Sequence, residues 1–418
     1  MPLTYRVNEY NLRFGRRVLA GRSVISVVAL ALLGCETSSV ESTSVTLPAN
    51  AQAIRVYPGP SELPSSAVNI PYTDVTICVP GSEQCQTIHD VQIDTGSVGL
   101  RLLASEVHVT LPAVQNGSAG TLAECTVFAD TSYVWGPVVS ADIQLASEKA
   151  LSVPIQLIEP AGFFGAPQSC GTSGAADNTV ATLGARGVLG LGVFAEDCGY
   201  ACTEAVSASV LPDIYFNCQT TGGTSSCTST AVPLENQLEN PAGRLKESGN
   251  GVVVSLPAVP ESGAPSVTGT LYFGIGTQPD NTLGSASVYA VSGYGTLSTT
   301  FNGTTYTGID GSILDTGTTI LLMPLALPTC PQADKIFCPA ATEHYVATNS
   351  GMNGVSGNVS FAIANAETLV ATNHSAFNDV GGNATGIVWG LPFFFGRNVY
   401  IGIEGHDSPG GSGPFVAY

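Results

Sequence analysis

The sequence predicts an all-β protein built from two lobes. Its 418 residues are more than one small core usually holds, so two units of ordinary size are expected. It contains 48 glycines and 26 prolines, and only 11% of its residues are charged. Thr, Ser and Val are also plentiful. This composition is typical of many short strands joined by turns.

Two stretches of the chain repeat one design, which runs as a hairpin, an apolar strand, a carboxylate and a second apolar strand. The first copy covers residues 75–97 and the second covers residues 295–318. An apolar-apolar-Gly element follows each copy, at residues 188–190 and 388–390. Repeats of this length indicate two duplicated lobes rather than a solenoid.

We expect the N-terminal lobe over residues 67–240 and the C-terminal lobe over residues 241–418. The polar stretch 232–243 contains Pro233 and Pro241, which disfavour the interior of a helix or a central strand. This stretch is the predicted crossing between the lobes.

The first 34 residues are predicted to be a bacterial lipoprotein signal peptide. Five arginines within the first 22 residues precede an apolar run at 24–33, which is too short to span a bilayer as a mature helix. Residues 32–35, Leu-Leu-Gly-Cys, resemble the lipobox of bacterial lipoproteins. The resemblance implies cleavage before Cys35 and acylation of its thiol. An ordinary secretory signal with a chance cysteine is the alternative.

Residues 35–66 are predicted to form a flexible tether, because they are rich in Ser, Thr, Pro and Val and show no helical or strand period. With Cys35 acylated, the protein would be exported and attached to the cell envelope through its lipid, at the outer membrane or the cell surface. Without acylation it would be secreted.

The charge balance argues against nucleic-acid partners. Asp and Glu outnumber Lys and Arg by 32 to 13. An acidic surface repels phosphate backbones and anionic lipid. We therefore expect no nucleic-acid binding.

The cysteines predict a disulfide framework. Of the 11 cysteines, ten remain once Cys35 is set aside, and an even number in an exported chain suggests five disulfides. No Cys-x-x-Cys pair exists and the five histidines are scattered, so no metal site is predicted. Sequence alone does not fix the connectivity, but close spacing favours four local pairs and leaves a fifth: Cys78–Cys85, Cys198–Cys202, Cys218–Cys227, Cys330–Cys338 and Cys125–Cys170.

Two Asp-Thr-Gly triplets carry the candidate chemistry. Each follows apolar residues and precedes a hydroxyl residue: Asp94, Thr95, Gly96 and Ser97 in the first copy, and Asp315, Thr316, Gly317 and Thr318 in the second. A single triplet would indicate an Asp-initiated turn. Two triplets in matched contexts resemble the active-site loops of pepsin-like aspartic proteases. In its detailed sequence the chain is most similar to exported bacterial members of that fold. The resemblance extends over about residues 68–418.

The resemblance implies a bilobal pepsin-like fold, with two β-barrel-like lobes and the active-site cleft between them. It makes Asp94 and Asp315 the catalytic pair. The other residues of the motifs would support that pair in three ways: close backbone passage at Gly96 and Gly317, hydrogen bonds to the opposite loop from Thr95 and Thr316, and donation to the outer carboxylate oxygens by Ser97 and Thr318.

The predicted function is that of an aspartic endopeptidase acting on extended polypeptides. Two carboxyls in contact cannot both ionise cheaply, so the pair holds one proton and titrates as a unit. The ionised member would take a proton from a water molecule, while the protonated member would donate to the peptide carbonyl oxygen. The resemblance implies no cofactor, and we expect a monomer.

A hairpin flap is expected to close over the cleft. Its predicted flap or substrate residues are Phe128, Asp130, Tyr133 and Trp135. Phe128 stands where the family usually has a tyrosine, so that hydroxyl is missing, and Arg101 stands where many pepsins have a tryptophan. Plain strand packing is the alternative role for Phe128 and Trp135.

Two other functions compete with proteolysis. The altered flap suggests a lipid-anchored peptide-binding protein that retains the fold with weak or no hydrolysis. A carbohydrate hydrolase would also use two carboxylates, but it would hold them about 5 Å or more apart. The chain has no His-Glu-x-x-His, Gly-x-Ser-x-Gly or Gly-x-x-x-x-Gly-Lys motif, which removes the simplest signals for other hydrolases.

Overall fold

The computed structural model describes residues 47–116, 120–128, 130–171, 174–203, 211–221 and 224–418. The predicted signal peptide, Cys35 and the first part of the predicted tether lie outside the described residues. Within the described ranges, none of the helices has the length and apolar character needed to cross a membrane.

Strands dominate the fold, so the all-β prediction is confirmed. The strands up to residue 229 are β1 (Ala51–Val56), β2 (Pro71–Cys78), β3 (Cys85–Asp94), β4 (Val98–Leu103), β5 (Thr121–Val127), β6 (Tyr133–Leu145), β7 (Glu148–Ile158), β8 (Gly187–Leu191), β9 (Tyr215–Thr221) and β10 (Thr224–Ser229).

Later strands complete the second lobe. They are β11 (Gly251–Leu256), β12 (Val267–Phe273), β13 (Val288–Ala290), β14 (Ser298–Phe301), β15 (Thr304–Tyr306), β16 (Ile313–Leu314), β17 (Leu321–Met323), β18 (Thr329–Cys330), β19 (Ala333–Phe337), β20 (Glu343–Ser350), β21 (Ser356–Ile363), β22 (Gly381–Asn383), β23 (Val388–Trp389), β24 (Arg397–Gly402), β25 (Asp407–Ser408), β26 (Gly411–Ser412) and β27 (Phe415–Ala417).

The helices of the described ranges are all short. They are α1 (Gln168–Gly171), α2 (Val180–Leu183), α3 (Ala366–Val370) and α4 (Leu391–Phe394), with 3-10 turns at Ala104–Glu106, Gly199–Cys202, Leu234–Asn236, Pro241–Arg244 and Gly308–Asp310. The predicted crossing between lobes, residues 232–243, lies between β10 and β11 and carries two of these turns.

One continuous sheet joins the two lobes. Its fifteen strands follow the order β10-β9-β5-β6-β7-β4-β8-β3-β2-β1-β12-β11-β24-β27-β13. Strand β1 therefore stands between first-lobe strands on one side and second-lobe strands on the other. The second lobe adds a six-stranded sheet (β16-β23-β17-β22-β19-β18) and a four-stranded sheet (β15-β14-β20-β21).

The position of β1 corrects the predicted tether, which was wrong over residues 51–56. All six residues of β1 pair with β12, from Ala51 opposite Tyr272 to Val56 opposite Val267. Ile54 and Val56 are fully buried. A segment that gains a ladder of hydrogen bonds and an apolar face in the core is held in place, whatever its Ser- and Pro-rich flanks suggest.

The repeated sequence design becomes a repeated strand arrangement. In the first lobe, β8 lies between β3 and β4 and is parallel to β3, with Gly190 opposite Asp94. In the second lobe, β23 lies between β16 and β17 and is parallel to β16. Each apolar-apolar-Gly element therefore passes beside the strand that leads into an Asp-Thr-Gly loop.

The five predicted disulfides are confirmed. Four close local loops and one joins β5 to α1: Cys78–Cys85, Cys198–Cys202, Cys218–Cys227, Cys330–Cys338 and Cys125–Cys170.

We predict that Ile54→Ala destabilises the whole protein, because Ile54 is fully buried on the strand that joins the lobes. The loss of a buried Ile side chain should lower the free energy of unfolding by about 2–5 kcal/mol, measured as the shift of the urea unfolding midpoint. The control is Leu151→Ala, since Leu151 is 58% exposed. Equal midpoints for the two variants would contradict the role of β1.

Candidate active site

The two Asp-Thr-Gly loops meet where the lobes join. The first loop leaves β3 at Asp94 and enters β4 at Val98, and the second leaves β16 at Leu314. A Cβ added at Gly96 would lie 2.6 Å from Cγ of Asp315, and one added at Gly317 would lie 2.5 Å from Oδ1 of Asp94. Each glycine therefore leaves room for the carboxyl of the opposite loop.

Two buried threonines exchange hydrogen bonds across the lobe interface. The N–H of Thr95 donates to Oγ1 of Thr316 (3.1 Å), and the N–H of Thr316 donates to Oγ1 of Thr95 (3.0 Å). Each hydroxyl then donates to a carbonyl of the opposite lobe, Thr95 to Leu314 (2.9 Å) and Thr316 to Ile93 (2.7 Å). These four bonds fix one loop against the other.

Each carboxyl is held by its own loop in the same way. Oδ1 of Asp94 accepts from the N–H of Gly96 (2.8 Å), and its Oδ2 accepts from the hydroxyl of Ser97 (2.6 Å). The second loop repeats this pattern: Oδ1 of Asp315 accepts from Gly317 N–H (2.7 Å) and Oδ2 accepts from Thr318 Oγ1 (2.6 Å).

The two carboxyls are in hydrogen-bond contact and are almost shielded from solvent. Asp94 is 8% exposed and Asp315 is 9% exposed. Burial, the charge of Asp94 and the hydrogen bond between the carboxyls raise the pKa of Asp315 to about 8. Burial disfavours the charged form, and a neighbouring carboxylate does so further. A pair of this kind binds one proton tightly and can act as acid and base together.

A cavity of about 270 Å³ opens above the two carboxyls. Both lobes line it, and the β5–β6 hairpin contributes Phe128, Asp130 and Ser132. The hairpin turn is closed by hydrogen bonds from Phe128 N–H to the Ser132 carbonyl (2.8 Å) and from Thr131 N–H to the Phe128 carbonyl (2.9 Å). This hairpin lies where a flap was expected.

The four predicted flap residues separate into two groups. Phe128 and Asp130 line the cavity, whereas Tyr133 and Trp135 are not among its lining residues. Trp135 is 1% exposed, packs edge-on against Phe216 and donates its indole N–H to the Phe164 carbonyl (2.7 Å). The predicted substrate contact of Trp135 was wrong, because its side of the strand is covered by core residues. Strand packing, the alternative, describes it correctly.

Sequence reasoning missed two contributors to the cavity. Tyr294 reaches it from the second lobe and is 40% exposed. Asp197 lines it beside Arg101, whose side chain was expected to matter only as a replaced tryptophan. A carboxylate within an apolar strand, such as Glu124 on β5, is the signal that would have indicated a buried charge there.

Comparison with known families decides the membership of the chain. Residues 46–418 match the family model described as a protein of unknown function, DUF3443. The chain belongs to the DUF3443 family. A search of curated proteins returns no match. Among solved structures, this DUF3443 protein is similar to the aspartic proteinase from Irpex lacteus, with 14% identity over 88% of this chain and 96% of that chain and a TM-score of 0.48.

For this DUF3443 protein we predict that Thr316→Val lowers stability and Thr316→Ser does not. Valine keeps the shape but leaves the Thr95 N–H and the Ile93 carbonyl without the hydroxyl they now contact. Each buried group that loses its partner should cost about 1–3 kcal/mol, measured by urea unfolding. Serine keeps the hydroxyl. If valine and serine shift the midpoint equally, the hydroxyl is not what holds the loops.

We also predict that Asp315→Asn makes the DUF3443 protein more stable than wild type at pH 7–8 but not at pH 4. The folded carboxyl keeps its proton up to a pKa of about 8, whereas an unfolded Asp loses it near 3.9. Wild-type stability therefore falls as the pH rises between these values, by at most about 1.4 kcal/mol per pH unit. Asn does not titrate. Urea midpoints from pH 4 to pH 8 measure the difference.

The control for this pH series is Asp310→Asn, since Asp310 is exposed. Its midpoint should follow that of the wild type at every pH. A constant offset between Asp315→Asn and wild type, independent of pH, would contradict the tightly held proton.

Proposed function

We propose that this protein is an aspartic endopeptidase of pepsin-like type, with Asp94 and Asp315 as its catalytic pair. The observation that carries the proposal is that two matched loops bring two buried carboxyls into hydrogen-bond contact at the floor of a cavity. Thr95 and Thr316 orient the loops, and Ser97 and Thr318 hold the outer carboxyl oxygens.

The chemistry follows from one shared proton. The ionised carboxyl takes a proton from a water molecule as that water attacks the peptide carbonyl, and the protonated carboxyl donates to the carbonyl oxygen. The product of this step is a tetrahedral gem-diol, and both carboxyls have exchanged their roles. The carboxyl that is now protonated then donates to the amide nitrogen, while the ionised carboxyl takes a proton from a gem-diol hydroxyl. The C–N bond breaks, and a carboxylic acid and an amine are released. The protein forms no covalent bond to the substrate.

The cavity favours an extended polypeptide as substrate. It is lined by residues of the β5–β6 hairpin and by residues from both lobes, including Tyr294 of the second lobe. Strand edges recognise an extended chain through its backbone N–H and C=O groups. Carbohydrate hydrolysis fits less well, because glycosidases hold their carboxyls about 5 Å or more apart and these two share a hydrogen bond.

Peptide binding without efficient hydrolysis is the second candidate, and one observation favours it. The side chain of Phe128 packs against the apolar cluster that contains Leu103 and Leu183, and it offers no hydroxyl to the carboxyls. Phe128 therefore provides no hydrogen bond to the carboxyls, whereas a tyrosine hydroxyl at this position could.

The test compares wild type with Asp94→Asn and Asp315→Asn on an unfolded protein substrate near pH 4. Loss of the acid or the base should lower the cleavage rate by about 10²–10⁴-fold, because general acid–base catalysis contributes that much. Asp310→Asn, which changes an exposed Asp, should cleave at the wild-type rate. A statine-type transition-state mimic should stop cleavage by the wild type.

Two outcomes would overturn the proposal. Cleavage that survives in either Asp94→Asn or Asp315→Asn would exclude these two residues as the catalytic pair. Tight binding of the mimic by a wild type that cleaves nothing would favour the peptide-binding protein instead.

A further inference from the structure

A buried charged cluster lies between the first active-site loop and the flap hairpin. Its centre is Arg101 on β4, seven positions after Asp94 and only 2% exposed. Nη2 of Arg101 donates to Oε1 of Glu124 on β5 (2.5 Å) and to Oδ2 of Asp197 (3.3 Å). Glu124 is fully buried and Asp197 has 8% of its side chain exposed. Arg101 and Asp197 also line the cavity above the dyad.

The guanidinium of Arg101 joins three parts of the first lobe. Its Nη1 donates to the carbonyl of Val98, at the end of the active-site loop (2.7 Å). Its Nε donates to Oγ1 of Thr126, two residues before the hairpin turn (3.1 Å). The bond to Asp197 reaches the segment after β8. A planar fork with fixed donor directions can hold these groups in one geometry, which a lysine cannot.

Further bonds hold the partners of Arg101. Thr126 donates its hydroxyl to Glu124 Oε1 (2.5 Å), and Tyr215 on β9 donates its hydroxyl to Asp197 Oδ1 (2.7 Å). The Tyr215 hydroxyl in turn accepts from the N–H of Leu238 (2.7 Å). The cluster is thus a connected network from the catalytic loop to the flap strand and its neighbour β9.

The network places two buried carboxyls against one guanidinium. Burial and the charge of Glu124 raise the pKa of Asp197 well above its ordinary value, with Arg101 acting in the opposite direction. Buried ion pairs of this kind seldom stabilise a fold more than packed apolar residues would. A fixed geometry is the property that such a network provides and apolar residues do not.

Other contacts also hold the hairpin, among them strand pairing of β6 with β7 and packing of Phe128 against the apolar cluster that contains Leu103. β5 pairs with β9 over Thr121–Glu124, and the Cys125–Cys170 disulfide ties β5 to α1. On the other edge, Tyr133 pairs with the segment at Ala175–Asp177. Arg101 adds hydrogen bonds that connect the hairpin strand β5 to the end of the first active-site loop.

We propose that Arg101 is a positioning residue. Through its bonds to Glu124, Thr126 and Val98, it fixes the position of the β5–β6 hairpin relative to the carboxyls of Asp94 and Asp315. This inference rests on the proposed peptidase function for its kinetic consequence. It predicts that the hairpin is held over the dyad by a buried cation, not by a hydroxyl at the flap tip.

The test uses a triple variant, Arg101→Met with Glu124→Gln and Asp197→Asn. Arg101→Met alone leaves two buried carboxyls without their cation, which is strongly destabilising. The triple variant leaves no uncompensated buried charge and should still unfold cooperatively, at a lower urea midpoint than wild type because the Val98 carbonyl loses its donor. Its kcat per active site, titrated with a statine-type mimic, should fall by about 10–100-fold, since small displacements of a closing element cost that much.

Two readouts separate positioning from a structural role. Amide hydrogen exchange in β5 and at the start of β6 should be faster in the triple variant, and KM should change less than kcat. The matched control is Arg55→Met, which removes an Arg–Asp74 ion pair between β1 and β2 and should leave both readouts unchanged.

Wild-type kcat and wild-type exchange in the triple variant would overturn the inference. If the wild type cleaves no peptide at all, the proposed function fails, but hydrogen exchange still decides the positioning role. Faster exchange confined to the hairpin would then support Arg101, and unchanged exchange would exclude it.

Discussion

Two buried threonine hydroxyls set the geometry on which the candidate site depends. Thr95 and Thr316 each accept from the backbone of the opposite loop and donate to a carbonyl of the opposite lobe. Both are almost completely buried, so water cannot replace a lost partner and the bonds are costly to break. The loops can therefore settle in only one register, and in that register the two carboxyls meet. The raised pKa of Asp315 follows from this register, because the register buries its carboxyl beside that of Asp94.

The two loops keep this register only if the two lobes hold a fixed position relative to each other. The continuous sheet supplies this through β1, whose partners are β2 in one lobe and β12 in the other. Gln92 adds a bond from β3 to the Gly317 carbonyl (3.2 Å). The main hydrophobic cluster also contains residues from both lobes, among them Ile93 and Leu314 next to the loops. Asp94 and Asp315 thus lie at an interface between the lobes that hydrogen bonds and apolar burial stabilise together.

The sequence predicted the features that short motifs specify, and it did not predict those that depend on contacts between residues far apart in the chain. The paired triplets, the duplicated lobes and the short-range disulfides all follow from patterns within a few residues. β1 was missed because its main partner, β12, lies more than two hundred residues further along, and its own six residues look unremarkable beside Ser and Pro. The face of Trp135 was misassigned because alternation along a strand does not tell which face another strand covers. Arg101 gave no sign of its partners, since Glu124 and Asp197 lie 23 and 96 residues away.

Two buried carboxyl pairs lie in or next to the cavity, and their hydrogen-bond partners differ. Glu124 and Asp197 share the guanidinium of Arg101, and Asp197 also accepts from the Tyr215 hydroxyl. Asp94 and Asp315 accept hydrogen bonds from backbone and hydroxyl groups, and no cation is among the groups that shift the pKa of Asp315. Burial and the neighbouring carboxylate raise the pKa of Asp315, and the proposed peptidase mechanism uses the proton that this carboxyl holds.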